Sequence, residues 1–508
     1  MSIRSASFVG ETALATDVAI IGAGPAGLSL AAKLNRDCMV IESGSLTTDV
    51  RTHHVFHSIN TGEPSKIDAV RVRGVGGASL RWTGRCIPLD RYDFEDRPWI
   101  SETGWPISYD EMLEWSESAA QLMQLPAISN DCVDAALADQ AEKFGSFIPA
   151  IWSFAEDNVK GILRFGDHLR DAFNDANRHI LYEAHCVEIM GNAQAVKAVR
   201  VMDRTGRSFL VKANHFVIAG GCVETCRMLL AARRTNPELL GEVAGWLGRG
   251  FHQHLRLDAG KIIADTRQLG RLQSAFDIHR YQGAALCETG LSFNPAFARE
   301  KQLGNASLVL RYEPQRGLSP LDWFGSVKSR LTGKTVRHRK ARVLVEIDSE
   351  QAVDHASFVG LADENDPLGQ PRARVHWKIN PVDCETAYAA MCSFASFVEE
   401  HGLGHMKQAN GITPDAVDIC CRRDSLHQLG GTRMSANAKT GVVDADLKVH
   451  GTANLSVVGG SVFATGGHAN PTQTIVALAM RLAAHLNGSV DRPAAQSSSG
   501  SSDTSLSV

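Results

Sequence analysis

Nowhere in the 508 residues do eighteen apolar residues follow one another, so no membrane-spanning helix is expected. The first sixteen residues carry one arginine and no sustained apolar stretch, so no export signal is read there either. The formal net charge is only -4, too small for general attraction to nucleic acid or an anionic membrane. Eleven cysteines are scattered through the chain instead of crowding into a disulfide framework. Cys222 and Cys226 lie four apart without a matching Cys or His pair at zinc spacing, so no metal site is expected. A Cys-x-x-Cys-His haem motif is missing, and no solenoid-period repeat is visible. These absences leave a protein of the cytoplasm with reduced thiols, without nucleic acid or a membrane span.

What is present suits a globular enzyme. Hydrophobic residues make up 44%, charged residues 21%, and there are 45 glycines, an ordinary soluble composition. The length suggests about two or three folding units.

The clearest local pattern lies near the start. The apolar run 17–21 (DVAII) leads into GAGPAG at 22–27 and then into the helical pattern LSLAAKL at 28–34. Residues 38–42 (CMVIE) read as a second buried strand ending in a carboxylate, which completes a β-α-β unit. Gly22 suits the tight turn, Gly24 lets backbone approach a pyrophosphate, and Gly27 allows close packing of helix on strand. The helix start would face the phosphates. Glu42, fifteen residues beyond Gly27, would accept hydrogen bonds from the adenosine ribose. This motif alone serves FAD and NAD equally.

Further along, residues 71–85 are rich in glycine and arginine, and a helix is expected over 111–125. Alternating segments between 180 and 220 flank a turn at 203–206 and extend the same sheet. Strands are expected at 306–311 and 341–346, and a helix over 384–400. The basic stretch 334–340 reads as a solvated face. The small polar residues after Ala494 cannot bury a core.

Several ordered blocks resemble the glucose-methanol-choline (GMC) oxidoreductases. They are GVGGASLRWTG at 74–84, VIAGGCVETCRMLL at 217–230 and LGRGFHQH at 247–254. Near the C-terminus come HQLGGTRM at 427–434, GVVD at 441–444, LKVHG at 447–451 and NPTQTI at 470–475. The stretch GWPISY at 104–109 is similar to the branch of pyranose oxidases and bacterial glucoside 3-oxidases. Similarity is faint over 256–425. The resemblance implies an α/β plus α+β fold with a Rossmann-like FAD-binding domain and a sheet-based substrate-binding domain. The implied layout is FAD-binding at 1–255 and 426–490, with a flavin-covering insertion at about 71–150. Residues 256–425 would then bind substrate, and 491–508 would form a disordered tail.

It also implies FAD contacts from Ala26, Gly76, Gly77, Ser79, Val187, Gly460, Asn470 and Thr472, besides Gly22, Gly24, Gly27 and Glu42. Arg81 stands where several relatives have a histidine attached to flavin, so the cofactor is expected to be non-covalent. Gly459 and Gly460 replace a more usual acidic residue.

Alcohol oxidation needs a base for the hydroxyl proton and an acceptor for the hydride. Histidine suits the first task because its ordinary pKa is about 6.5. By position, His427 matches the family's base and Asn470 its partner. His468 is expected to contact substrate or to stand behind the site. Asn470 before Pro471 also reads as a helix cap with proline at the first helical position. That helix would aim its positive end at the anionic reduced flavin. The expected reaction converts a secondary hydroxyl of a sugar or glycoside to a ketone, with electrons passing to oxygen or another acceptor. A non-sugar alcohol and a nicotinamide-dependent dehydrogenase are the alternatives.

Overall fold

The computed structural model describes residues 3–46, 56–126, 145–157, 161–281, 285–314, 338, 340–424 and 426–488. The expected tail at 491–508 and most of the basic stretch 334–340 lie outside the described residues.

Two strands of short apolar sequence lie in the middle of the first sheet. Val18 to Ile21 and Cys38 to Ile41 are buried throughout, as parallel strands covered on both faces require. The sheet has eight strands. Ile3–Ser5, Arg178–Tyr182, Cys38–Ile41, Ala13–Ile21 and Ser208–Ile218 run parallel in that order. Ser208–Ile218 then divides its free edge. Its first residues pair antiparallel with Val196–Asp203, and Phe216 to Ile218 pair parallel with Leu455–Val457. Ala184–Gly191 completes the antiparallel end. The chain's C-terminal part thus returns to the sheet that its first residues begin.

The second sheet has nine strands and is antiparallel. Its spine runs His405–Gln408, Leu255–Ile263, Ala341–Ser349, Ala306–Pro314, Ala285–Phe293, Phe147–Phe154 and Arg85–Cys86. Alternation decides its two faces. Val343, Val345 and Ile347 join Leu308 and Leu310 in a core with Ala390, Phe394 and Phe397 of helix Pro381–Glu400. Proline begins that helix, and the Asp383 carboxylate accepts from the Asn380 N–H at 2.8 Å. The alternate positions, Glu346 and Asp348, face the other way yet are also buried. A smaller sheet joins Phe358–Asn365, Pro371–Trp377 and Ile59–Gly62.

The helix Thr472–Leu486 packs between Pro25–Lys33 and Tyr109–Leu122. Leu478, Ala479 and Leu482 are wholly buried. Its start differs from expectation: Pro471 holds the cap position and no side chain caps the helix. The Asn470 side chain is engaged elsewhere, with Arg85 and His427. The architecture is the expected α/β plus α+β one, a Rossmann-like unit beside a sheet-based one. Among the described residues, no helix is long and apolar enough to cross a membrane.

Candidate active site

One cavity of about 490 Å³ runs between the two sheets, within the range typical of small-molecule sites. Gly22, Gly24, Ala26, Glu42, Gly77 and Val187 line it, and so do His427, Gly460, Asn470 and Thr472. Gly27, Gly76 and Ser79 stand behind this lining and shape it. A Cβ on Gly27 would collide with the carbonyl oxygen of Gly22. The Gly76 N–H donates to Ala23 O at 2.8 Å. The Ser79 hydroxyl donates to Gly76 O at 2.6 Å and accepts from the Phe165 N–H at 3.2 Å.

Gly22 has φ +113°, a conformation side chains rarely adopt. A Cβ on Gly77 would come within 2.7 Å of Gly24 Cα, whereas one on Gly24 meets nothing within 4 Å. The two glycine-rich loops are therefore pressed together while Gly24 stays open. Glu42 ties them: its carboxylate accepts from Ala23 N–H at 2.9 Å, Gly44 N–H at 2.7 Å and Gly74 N–H at 3.1 Å.

Three helices begin at this cavity, Pro25–Lys33, Cys222–Thr235 and Thr472–Leu486, and none has a side-chain cap. Their first N–H groups and positive dipole ends supply a binding surface for phosphate and other anionic groups.

At the other end, half-buried His427 meets two partners. Its Nε2 lies 3.3 Å from Asn470 Nδ2, and its Nδ1 lies 3.0 Å from Nδ1 of His254. Burial, then the neighbouring His254, Arg256 and Arg85, hold the His427 pKa well below the usual value. The ring is therefore neutral at pH 7 and able to accept a proton.

Around the pair stands a set of charges. Arg85, Arg256 and Arg311 line the cavity. Arg85 donates to Glu288 at 2.5 Å and to Asn470 Oδ1 at 3.3 Å. Arg256 grips Asp348 through two hydrogen bonds of 2.8 and 2.7 Å. Arg311 pairs with Glu288 and, at 3.4 Å, with Glu346. Burial would raise the Asp348 pKa, but Arg256 and Arg85 outweigh it and hold the carboxyl well below its usual range. Sequence reasoning did not single out these residues. Their only signal was a charge at alternate positions of several strands, which ordinarily marks a solvated face; His254 was legible only as the end of a motif.

His468 does not line the cavity. Its Nε2 is 3.0 Å from Asp90 Oδ2, and its ring meets Trp152 edge-on. Arg81 is exposed at the cavity rim.

Residues 354–479 match the family model described as GMC oxidoreductase. This stretch of the chain is a GMC oxidoreductase domain. It is 25% identical over 299 residues to 2-methyl-1,2-propanediol dehydrogenase of Mycolicibacterium austroafricanum, covering 57% of this chain and 50% of that protein. It is 24% identical over 294 residues to the fructose dehydrogenase large subunit of Gluconobacter japonicus, again covering 57% and 50%. The chain thus matches about half the length of these curated relatives. The solved structure of Aspergillus oryzae RIB40 formate oxidase, studied for FAD modification in an R554K mutant, superposes with TM-score 0.57 at 14% identity. That likeness covers 94% of this chain and 99% of the other, and it bears on the fold.

Proposed function

We propose that this chain binds FAD without a covalent link and oxidises an alcohol, with His427 as base and Asn470 as its partner. One observation carries the reading: the His427–Asn470 pair lies at one end of the cavity whose other end is glycine-lined and faced by uncapped helix starts. The residues fit the cofactor. The open position at Gly24 and the starts of Pro25–Lys33 and Cys222–Thr235 suit a pyrophosphate, and Glu42 lies beside them for the ribose. Ala26, Gly77, Val187, Gly460 and Thr472 complete the proposed set of contacts, with Gly27, Gly76 and Ser79 shaping the wall from behind. Residues 1–255 with 426–490 would hold the cofactor and 256–425 the substrate, a division favoured by the return of Leu455–Val457 to the first sheet.

FAD, when bound, would supply the hydride acceptor for the substrate carbon. His427 takes the hydroxyl proton, which its neutrality permits, and Asn470 holds the substrate oxygen near the ring. Breaking the O–H and C–H bonds then leaves a carbonyl. The proposed substrate is a secondary hydroxyl of a sugar or glycoside, giving a ketone. Its support is the charged wall of Arg85, Arg256 and Arg311, in which Arg85 keeps a buried Nη2 with no partner; an apolar alcohol would leave that donor unsatisfied at about 1 to 3 kcal/mol. The fructose dehydrogenase relative points to the same substrate class. Electrons would pass on to oxygen or another acceptor.

The test is anaerobic titration of the yellow protein with glycosides and with apolar alcohols, following loss of flavin absorbance. Glycosides should bleach it, and His427→Ala should slow the bleaching about 100- to 10,000-fold with FAD content unchanged. A mutant rate within about threefold of wild type removes His427 from the role of base. Bleaching by apolar alcohols alone removes the sugar. Acid precipitation should leave FAD in the supernatant; flavin on the pelleted polypeptide would overturn the non-covalent reading.

A further inference from the structure

We infer that His254 is a positioning residue that fixes the tautomer of His427, leaving the lone pair on Nε2, the nitrogen that faces Asn470. The inference rests on the reading of His427 as the base.

Two independent lines of donors and acceptors meet at this ring. The first begins at Arg85, whose guanidinium can only donate. Its Nη1 lies 3.3 Å from Asn470 Oδ1, which settles the orientation of the amide. Asn470 Nδ2 therefore faces His427 Nε2 at 3.3 Å. An amide NH2 only donates, so His427 Nε2 has to be bare.

The second line begins on the far side. The carbonyl oxygen of Gly466 can only accept, and it lies 3.2 Å from His254 Nε2, so that nitrogen carries hydrogen. Burial pushes the His254 pKa down to about 4, so the ring is neutral and its Nδ1 is bare. That bare nitrogen lies 3.0 Å from His427 Nδ1, which must then be the donor. Both lines give His427 the same state, hydrogen on Nδ1 and a lone pair on Nε2.

The alternatives fail on contact chemistry. Hydrogen on His427 Nε2 would oppose the Asn470 amide hydrogens and would set two bare Nδ1 atoms against each other 3.0 Å apart. A doubly protonated His254 would satisfy Nδ1 but would place a cation in a site where it is 2% exposed and where burial, with His468 and His252, outweighs the favourable charge of Asp348. A neutral His254 with hydrogen on Nδ1 would turn a lone pair toward the Gly466 oxygen. The second ring nitrogen of a histidine selects which nitrogen acts, and here His254 makes that selection. It also accepts from Nδ1 after the proton arrives on Nε2, so the charged ring keeps a partner for its buried N–H.

The experiment uses the full-length FAD-loaded protein with 15N-labelled histidine, in which two-bond nitrogen–carbon-proton correlations distinguish the tautomers. The His427 signal is identified by its disappearance in His427→Ala. Wild type should show His427 with hydrogen on Nδ1. His254→Asn, whose Oδ1 can take the acceptor's place, should keep that pattern and a kcat within about threefold of wild type. His254→Phe leaves the Asn470 contact as the one remaining constraint and removes the acceptor for Nδ1–H, so hydrogen should appear on His427 Nε2 in part of the population and kcat should fall about 10-fold, with the flavin spectrum retained. Hydrogen on Nε2 in wild type, or an unchanged Nδ1–H pattern in His254→Phe, overturns the inference. If His254→Phe does not fold, the wild-type and His254→Asn spectra still decide it, since loss of the Nδ1–H pattern in either overturns the inference. The tautomer is read without substrate, so a protein that oxidises no alcohol yet shows the Nδ1–H pattern and its dependence on His254 refutes the proposed function while upholding this pairing.

Discussion

The two ends of the cavity are built from different materials. At the glycine-rich end the wall is backbone: Gly22, Gly27 and Gly77 let chain segments touch, and helices Pro25–Lys33 and Cys222–Thr235 offer their first N–H groups. At the His427 end the wall is side chain, a balanced set of three arginines and three carboxylates drawn from five strands. The first kind of wall depends on residues close in sequence and tolerates no extra atoms. The second depends on register between distant strands, as in Arg85 and Glu288, which are 203 positions apart, and tolerates no lost charge. The contrast makes different substitutions fatal at the two ends.

The largest expected effect lies on the charged side. Glu288 is 2% exposed and shared by Arg85 and Arg311. Glu288→Ala would leave Arg85, 7% exposed, with only Asp348 at 3.6 Å among the acids it pairs with. Stranding a buried charge in this way costs about 3 to 5 kcal/mol. Denaturant unfolding should show that loss, and Glu288→Gln should show less because it keeps the shape and an acceptor. A loss under about 1 kcal/mol for the alanine variant would mean that water reaches these charges and that the two ends do not differ in kind.

The same contrast explains what could be read from the sequence. The β-α-β unit was legible because Gly22, Gly24 and Gly27 answer short-range demands of turn and packing. Helix Pro381–Glu400 was legible from its apolar spacing, though its start lies three residues earlier than Cys384, at the proline. The pairing of His427 with Asn470 was reached by motif resemblance. Arg256, Glu288, Arg311, Glu346 and Asp348 were not legible, because alternating charge along a strand marks a face without saying what covers it. Here the cavity wall and opposite charges on neighbouring strands cover it. Asn470 shows tertiary partners overriding local propensity. Its sequence context favours a helix cap, but Arg85 and His427 engage the amide and the helix begins beyond Pro471. His468 is two residues from Asn470, yet the turn at Gly467, φ +54°, precedes it, and its side chain reaches Asp90.

A smaller effect sharpens the comparison at the backbone end. Gly27→Ala places a Cβ against the Gly22 carbonyl, and Gly24→Ala places one in open space. Gly27→Ala should therefore lower stability by about 1 to 3 kcal/mol through overpacking, seen in the melting of protein freed of cofactor. Gly24→Ala should leave that melting unchanged and reduce the FAD retained per chain after desalting. Equal losses of stability would deny that Gly24 is kept open for a ligand.

The smallest effect concerns the layer behind the charged end, where His468 meets Asp90. Burial alone would lower the His468 pKa, but the hydrogen bond and charge of Asp90, with Asp93 and Asp348 beyond, raise it above 6.5. A group raised in the folded state binds its proton more tightly there than in the unfolded chain, so its stabilisation is complete below about pH 6.5 and is lost as pH rises through the folded value. Asp90 has the opposite sign. Burial would raise its pKa, but His468 and Asn305 bring it below the usual value, so its share is lost only in acid. Asp93, pushed up to about 7 by burial and the nearby charges of Asp90 and Glu350, reinforces the trend, because the charged His468 eases its ionisation. Melting temperatures of wild type and His468→Asn should therefore differ most near pH 6 and converge toward pH 9. Because His468 lies outside the cavity lining, substrate-driven flavin reduction in this variant should stay within about threefold of wild type. A gap in melting temperature that widens with pH would mean that His468 is neutral in the fold, and a large loss of flavin reduction would move it from this supporting layer to the reacting end.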